Sequence, residues 1–254
     1  MEFDLAYTNA STLLFPSFDK GGKIVQIGCG GTGSWLAQDI ARILRSLKNP
    51  RIEYLIFDPD VVEAKNVQRQ NFCDAEIGRN KAVSMASRLT YGWGVLVTGV
   101  PQTFTTAKSF SYGPILIVGC VDNAAARRTI HKTVAQRSDT WWLDCGNHAS
   151  SGQVLLGNTN TTLKMADQFP FVRKANKLPS PSLQHPELLR ERRKVVESCA
   201  EIVDPQGLTV NRMVAAIAAD YIMRLLVRKD LKRYATYFDM GSMSTRSNYI
   251  PAGG

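Results

Sequence analysis

The chain is poor in cysteine and histidine and has no long apolar run. Its 254 residues include five Cys and three His. No two cysteines form a Cys-x-x-Cys pair, so the sequence predicts neither a disulfide framework nor a structural zinc site. No apolar stretch reaches the roughly 18 residues that a membrane-spanning helix needs, and the acidic start MEFDLAYTNA is unlike a secretory signal. We therefore expect a cytoplasmic protein with no membrane partner.

The chain has more basic than acidic residues. The chain has 31 Lys+Arg against 22 Asp+Glu, a formal net charge of +9, and 44% of its residues are hydrophobic. This is the composition of a globular protein with a substantial core. The excess of positive charge favours acidic partners such as nucleotides, nucleic acid or an acidic protein. No nucleic-acid recognition motif accompanies it, so a nucleic-acid partner is unsupported although not excluded.

Short apolar segments alternate with amphipathic ones through the first 157 residues. The pattern predicts strands at 24–29, 52–57, 95–99, 114–120, 140–145 and 152–157. It predicts helices at 34–47, 81–89, 123–135 and, further on, 210–227. Alternating units of this kind indicate an α/β, Rossmann-like fold, with a mostly parallel sheet and helices on both faces.

The pattern changes after residue 157. Residues 158–198 are rich in polar side chains and contain three prolines between positions 179 and 186. This composition predicts a long, partly mobile crossover segment with one amphipathic helix. Residues 199–254 are expected to form a C-terminal helix and a closing strand at 233–240. No internal repeat or linker interrupts the chain. We therefore predict a single domain over 1–254, with its nucleotide-binding core at 20–150.

A glycine-rich loop follows the first predicted strand and precedes the first long helix. Its glycines are Gly28, Gly30, Gly31 and Gly33. Glycines let the backbone turn tightly and approach a phosphate, and the helix N-terminus supplies unpaired N–H groups. Asp58 ends the second predicted strand, where it can accept hydrogen bonds from a ribose. The motif predicts nucleotide binding; the alternative is a tight turn without a ligand.

Further polar residues are predicted at the same edge of the sheet. They are Asp60, Asn66, Arg69, Lys81, Asp122 and Asn123. A nicotinamide dinucleotide needs little beyond the glycine loop and Asp58, whereas a triphosphate needs more positive charge and usually Mg²⁺. Arg69 and Lys81 can neutralise phosphate oxygens, and Asp122 can hold Mg²⁺. The set favours ATP with Mg²⁺, with an NAD(P)-dependent oxidoreductase as the alternative.

These motifs resemble a known group of enzymes, the ThiF/E1-like adenylyltransferase superfamily. The resemblance covers most of residues 23–228 and rests on GCGGTG, DPDVVEAKNVQRQNF, IGRNK, VDN and SCAEIV. The phrases WWLDCGN, SGQVLLGN and RYATYFDMGS are most similar to the ThiF-related protein of the PRTRC plasmid cassette. The resemblance implies adenylylation, with ATP and Mg²⁺, of the C-terminal glycine of a small ubiquitin-like or sulfur-carrier protein. It also implies a homodimer.

The resemblance assigns roles to individual residues. It implies that Asp58 binds the ribose, that Asn66, Arg69 and Lys81 contact the phosphates, and that Asp122 coordinates Mg²⁺ beside the α-phosphate. Cys199 stands where sulfur-carrier-activating members have a cysteine that receives the activated protein. A structural cysteine at a helix entry is the alternative for Cys199.

One departure from the superfamily concerns arginine. Many members have an arginine before the first strand that reaches the partner subunit's site, but residues 1–41 contain none. Lys20, Lys23 or an arginine elsewhere would have to replace it. Otherwise adenylylation is slow, which leaves open a non-catalytic nucleotide-binding scaffold of a plasmid cassette as a further alternative.

Overall fold

The computed structural model describes residues 5–18, 20–47, 51–106, 110, 113–160, 174–191 and 207–251. Its strands are β1 (Thr12–Leu13), β2 (Gly22–Ile27), β3 (Ile52–Phe57), β4 (Val97–Val100), β5 (Ile115–Gly119), β6 (Thr140–Asn147), β7 (Ser151–Gly157), β8 (Lys174–Ala175), β9 (Arg233–Asp239) and β10 (Ser244–Tyr249). Its α-helices are α1 (Leu5–Asn9), α2 (Gly31–Ser46), α3 (Ala64–Val67), α4 (Lys81–Trp93), α5 (Ala124–Gln136), α6 (Pro181–Gln184) and α7 (Leu208–Met223).

Eight strands form one sheet in the order β10-β9-β7-β6-β5-β2-β3-β4. The five strands β2 to β6 are parallel to one another. Strands β7, β9 and β10 extend the sheet in antiparallel orientation. The strand order reverses between β2 and β5, which is the switch point where open α/β sheets bind ligands at the carboxyl ends of the strands.

Helices cover both faces of the sheet, so the central strands are buried on both sides. Within β2, Ile24 belongs to a hydrophobic cluster with α2, α4 and α7, whereas the next residue, Val25, belongs to a cluster with α5. Period-two alternation sends successive side chains to opposite faces, and both faces here are apolar. The predicted Rossmann-like α/β fold is therefore confirmed.

The C-terminal part differs in detail from the prediction. The predicted strand at 233–240 corresponds to β9, but it does not close the sheet, because β10 pairs with it and forms the edge. The predicted helix at 210–227 corresponds to α7, whose end is wound into a π-helical turn over Arg224–Arg228. Among the described helices, none combines the length and the apolar character needed to cross a bilayer.

The crossover segment is described only in part. Strand β8 pairs with β1 in a separate two-stranded parallel sheet, and α6 leads into a short 3₁₀ turn over Pro186–Leu189. The amphipathic helix expected here is not formed within residues 187–191. Glu191 instead pairs with Arg128 of α5, with 2.6 Å between Oε1 and the guanidinium. Residues 161–173 and 192–206, including Cys199, lie outside the described residues.

Candidate functional site

A cleft of about 810 Å³ opens at the switch point, along the carboxyl edge of the parallel strands. Its size is typical of small-molecule sites. The cleft is lined by segments that follow β2, β3, β4 and β5, by two residues of β6 and by one residue of α7. The predicted residues at its wall are Gly28, Gly30, Gly31, Asp58, Asp60, Asn66, Arg69, Lys81, Asp122 and Asn123. The fold therefore brings together residues that are 95 positions apart in the sequence.

Two of the four loop glycines are required by the close approach of backbones. Gly28 has φ +94°, and a Cβ there would lie 2.3 Å from the carbonyl oxygen of Cys120 at the end of β5. A Cβ on Gly33 would lie 2.1 Å from the carbonyl oxygen of Gly28. No larger residue fits at either position without displacing the backbone. The tight-turn explanation therefore accounts for Gly28 and Gly33.

The other two glycines, Gly30 and Gly31, have side chains rather than backbone as their nearest neighbours. A Cβ on Gly31 would press against the side chain of Asn211, 2.7 Å from its Oδ1. A Cβ on Gly30 would have only Gln70 within 4 Å, at 3.9 Å. Gly30 is the N-cap residue of α2 and has no side chain to occupy the N–H groups of the first turn. Those groups are available to an anion in the cleft.

Asp58 holds the glycine loop against β3. Its Oδ2 accepts a hydrogen bond from Cys29 N–H at 2.6 Å, and its Oδ1 accepts one from Asp60 N–H at 2.9 Å. Burial raises the pKa of the Asp58 carboxyl, although these backbone donors oppose the rise. Each carboxylate oxygen retains capacity for a second hydrogen bond. Asp58 can thus fix the loop and accept hydrogen bonds from a ligand.

The residues that are predicted to contact the phosphates lie between the end of β3 and the start of α4. The ammonium of Lys81 is nearly buried and lies 3.1 Å from Oδ2 of the exposed Asp60. Asn66 is buried, and its Oδ1 accepts a hydrogen bond from Glu63 N–H at 2.9 Å. Arg69 is half-buried at the wall of the cleft. One side of the cleft therefore combines two cations with an amide.

Asp122 and Asn123 follow β5 on the other side of the switch point. Asp122 is exposed at the wall of the cleft. Asn123 is the N-cap of α5, and its Oδ1 accepts a hydrogen bond from Ala126 N–H at 2.8 Å. Within the described ranges, no group of three or more His, Cys, Asp or Glu side chains is arranged to hold a metal ion. Asp122 therefore faces the cleft as a single carboxylate rather than as part of a metal cage.

Three cysteines lie at the carboxyl ends of β2, β5 and β6, and two of them, Cys120 and Cys145, line the cleft. Cys29 and Cys145 are buried and Cys120 is partly exposed, and none of the three is in a disulfide. Burial raises the pKa of the Cys29 thiol. Hydrogen bonding to Cys120, together with burial, raises the pKa of Cys145. The thiols of Cys29 and Cys145 therefore remain protonated at neutral pH.

Neither Lys20 nor Lys23 lines the cleft of its own chain. Lys23 lies at the amino end of β2, almost fully buried, and its ammonium pairs with Glu53 at 2.5 Å. Lys20 borders a separate cavity of about 640 Å³ that is also lined by Arg51 and Ile52 at the start of β3. Both lysines are at the amino edge of the sheet, whereas the cleft is at the carboxyl edge.

Several residues of the cleft could not be predicted from the sequence. Asn211 of α7 is fully buried, and its Oδ1 accepts a hydrogen bond from Thr32 Oγ1 at 3.2 Å across 179 residues of sequence. Phe57 and Phe104 form an edge-to-face pair with ring centroids 5.4 Å apart and give the cleft an apolar wall. Asn211 belongs to no local motif, so only the packing of α7 against α2 reveals it.

Comparison with known proteins identifies the family. The ThiF family profile matches residues 20–252, and the chain belongs to this family. No curated protein matches the sequence significantly.

Solved structures resemble the fold at low sequence identity. Escherichia coli MccB with ATP is 15% identical with a TM-score of 0.64, over 92% of this chain and 65% of that one. The microcin C7 biosynthetic enzyme MccB in complex with N-formylated MccA is 15% identical, TM-score 0.63, over 92% and 66%. PaaA is 15% identical, TM-score 0.61, over 91% and 65%. The chain thus spans about 65% of the length of these proteins.

Proposed function

We propose that the protein is an E1-like adenylyltransferase that uses ATP to activate the C-terminal glycine of a small ubiquitin-like or sulfur-carrier protein. The observation that carries this proposal is the convergence of Arg69, Lys81 and the uncapped start of α2 on one cleft. A nicotinamide dinucleotide has no use for so many positive groups. Membership of the ThiF family and the fold shared with MccB, which was solved with ATP, support the same reading.

The reaction follows from these groups. A carboxylate oxygen of the acceptor forms a bond to the α-phosphorus of ATP, the bond from that phosphorus to the bridging oxygen breaks, and pyrophosphate leaves with the electron pair. The products are an acyl-adenylate and pyrophosphate, and no side chain has to act as nucleophile or general base. The protein aligns two anions and neutralises their charge. In our proposal Asp58 accepts the ribose hydroxyls, Phe57 and Phe104 contact the adenine, and Asn66, Arg69 and Lys81 contact the phosphates.

Magnesium fits the cleft only as a partner of the nucleotide. Asp122 supplies one carboxylate, and the remaining ligands would be phosphate oxygens and water, which is the usual arrangement for this ion. Bound there, Mg²⁺ would neutralise negative charge that develops on the phosphates. We propose Asp122 as the single protein ligand. Asn123 stays a proposed cleft contact through its backbone, because its side chain caps α5.

The finer parts of the proposal rest on the sequence resemblance. We propose one domain over 1–254, a homodimer, and a cytoplasmic setting in which Cys29, Cys73, Cys120 and Cys145 stay unpaired. We also propose kinship with the ThiF-related protein of the PRTRC plasmid cassette. Transfer of the activated acyl group to Cys199 is an optional second step, which would produce a thioester and release AMP.

The test is ATP–pyrophosphate exchange with ubiquitin-like and sulfur-carrier proteins of the same genome that end in glycine, each assayed separately. We expect exchange with one of them. Asp122→Ala should lower it at least about a hundredfold, because the group that organises the α-phosphate is lost. Asp74→Ala is the matched control. It removes an exposed carboxylate outside the cleft and should leave the rate unchanged.

Three outcomes separate the proposals. Undiminished exchange in Asp122→Ala would refute the role of that carboxylate. ATP binding without exchange for every acceptor would favour the non-catalytic scaffold. For Cys199, a thioester seen by mass spectrometry in the wild type and in Cys73→Ser, but absent from Cys199→Ser, is the expected result if the second step occurs.

A further inference from the structure

Three polar side chains from distant parts of the chain meet at one end of the cleft. Asn211 of α7 accepts two hydrogen bonds through its Oδ1, one from Thr32 Oγ1 of α2 at 3.2 Å and one from Asn147 Nδ2 of β6. All three residues line the cleft. Because each comes from a different element, the positions of the two asparagine side chains are fixed by the packing of α2, β6 and α7.

These hydrogen bonds leave one donor and one acceptor without a partner. Asn211 is fully buried, and its Nδ2 makes no hydrogen bond within the part of the chain that the structure describes. Asn147 is half-buried, and its Oδ1 accepts no hydrogen bond from a described residue. Buried polar groups are almost always paired in native proteins. This end of the cleft is therefore short of a group that both accepts and donates a hydrogen bond.

The two asparagines lie across the cleft from the residues that are proposed to bind the nucleotide. Asp58 and Lys81 follow β3, whereas Asn147 ends β6, and β2 and β5 lie between these strands. Three strand spacings amount to roughly 14 Å. Asp122 follows β5, between the two sides. Because the attacking and leaving oxygens lie in line across the phosphorus, a phosphate chain directed towards Lys81 puts the acceptor on the side of β6.

We propose that Asn147 and Asn211 bind the backbone of the penultimate residue in the acceptor's C-terminal tail. Asn211 Nδ2 donates to its carbonyl oxygen, and Asn147 Oδ1 accepts from its N–H. This inference rests on the proposed function and adds two positioning residues to it. The N–H and C=O of one extended residue point the same way, as in a hydrogen-bonded strand pair, whereas a phosphate has only acceptors to offer to Asn147. Held there, the tail directs its terminal carboxylate towards the α-phosphate.

The test measures the binding of two synthetic hexapeptides by ligand-observed NMR. Both end in Gly-Gly, and in one of them an ester oxygen replaces the N–H of the penultimate glycine. The wild type should bind the amide peptide about tenfold more tightly, because the ester has no hydrogen to donate to Asn147. Asn147→Ala should lose this preference and bind the two peptides equally.

Asn211→Leu should act differently. It should weaken both peptides about tenfold, because both keep the carbonyl oxygen that accepts from Nδ2. ATP affinity, measured by calorimetry, should stay unchanged in both variants, whereas general damage to the cleft would lower it. Asn147 is only half-buried, so Asn147→Ala keeps the test available if Asn211→Leu fails to fold.

The matched control is Asn158→Ala. Asn158 is also half-buried, and it donates to the carbonyl oxygen of Asn176 at 3.1 Å and accepts from Leu178 N–H at 2.8 Å. It follows β7, at the opposite edge of the sheet from the cleft. The control should leave the affinities for both peptides and for ATP unchanged. A wild type without the preference for the amide peptide, or a preference that persists in Asn147→Ala, would overturn the inference.

ATP–pyrophosphate exchange separates this inference from the proposed function. Acceptor-dependent exchange with an unchanged KM for the acceptor in Asn147→Ala and Asn211→Leu would leave the proposed function standing and overturn the inference alone. So would a wild type that binds ATP but neither peptide. Peptide binding that depends on both asparagines, without exchange for any acceptor, would do the reverse. A wild type that binds neither ATP nor peptide would overturn both.

Discussion

Gly28 shows how one residue controls the shape of the site. An alanine there would combine a left-handed φ of +94° with a Cβ 2.3 Å from a carbonyl oxygen. We expect Gly28→Ala to lower the free energy of unfolding by about 3 kcal/mol, from backbone strain and overlap together. Chemical denaturation measures the loss. The matched control is Gly92→Ala in α4, where a Cβ would meet nothing within 4 Å.

The control change should stabilise the protein by up to about 1 kcal/mol, since alanine is the better helix former. Equal stabilities for Gly28→Ala and Gly92→Ala would contradict the close approach of β2 and β5 at the base of the cleft.

The residues of the site differ in how far they could be predicted from the sequence. The glycine loop and Asp58 were recognisable because strand, turn and helix are neighbours in the chain. The tight turn was foreseen for these glycines, but the close approach of Gly28 to the carbonyl oxygen of Cys120 was not, since the two residues are far apart in the sequence. Asn211 was missed because its partner in α2, Thr32, lies 179 residues earlier. Short-range patterns contain no information about contacts of that length.

Among the elements, α5 is joined to the sheet by a buried ion pair. Arg127 Nε lies 3.1 Å from Oδ1 of Asp144 in β6, and both side chains are almost fully buried. Removing one partner leaves an uncompensated buried charge, so Arg127→Met should lower the free energy of unfolding by about 3 kcal/mol. Asp144→Leu should cost a similar amount. The double variant should lose less than either single change, and simple additivity in urea titrations would argue against the pair.

The same pair gives stability a dependence on pH. Burial raises the pKa of Asp144 and the guanidinium of Arg127 opposes the rise. A carboxyl whose pKa is higher in the folded state contributes stability below its unfolded pKa of about 4. That contribution is lost as the pH rises through the folded pKa. Without Arg127 the folded pKa rises further, so Arg127→Met should lose stability more steeply than Asp144→Leu as the pH rises above about 4.

The elements themselves were largely predictable, with instructive exceptions. Strand β5 is a continuous apolar run, and β2, β3 and β6 each contain an apolar stretch, because both faces of the sheet are covered. Such stretches are visible in the sequence. Strand β10, with the sequence STRSNY, has no apolar alternation because it is an exposed edge strand. Its position depends on pairing with β9. The strands β1 and β8 have two residues each and are defined by their pairing with each other. Two residues are too few to show a pattern in the sequence.

For the whole molecule, ligand binding should appear as thermal stabilisation. A ligand at 100 times its Kd adds about 2.7 kcal/mol, which corresponds to a shift of roughly 5–10 °C for a domain of this size. We expect this shift with Mg-ATP, a smaller one with ATP and EDTA, and none with NAD(P)H. A shift with the nicotinamide dinucleotide and none with ATP would contradict the proposed adenylyltransferase and favour an NAD(P)-dependent oxidoreductase.

The contact between Thr32 and Asn211 also has a consequence for synthesis of the protein. At about 5–20 residues per second, the ribosome needs roughly 10–35 seconds to add the residues that separate them. During that interval the nascent chain contains the glycine-rich loop and α2, but it does not yet contain α7, which packs against the apolar side of α2. The part of the cleft wall that Asn211 provides is therefore completed only after α7 has been synthesised, and until then the apolar side of α2 lacks this cover.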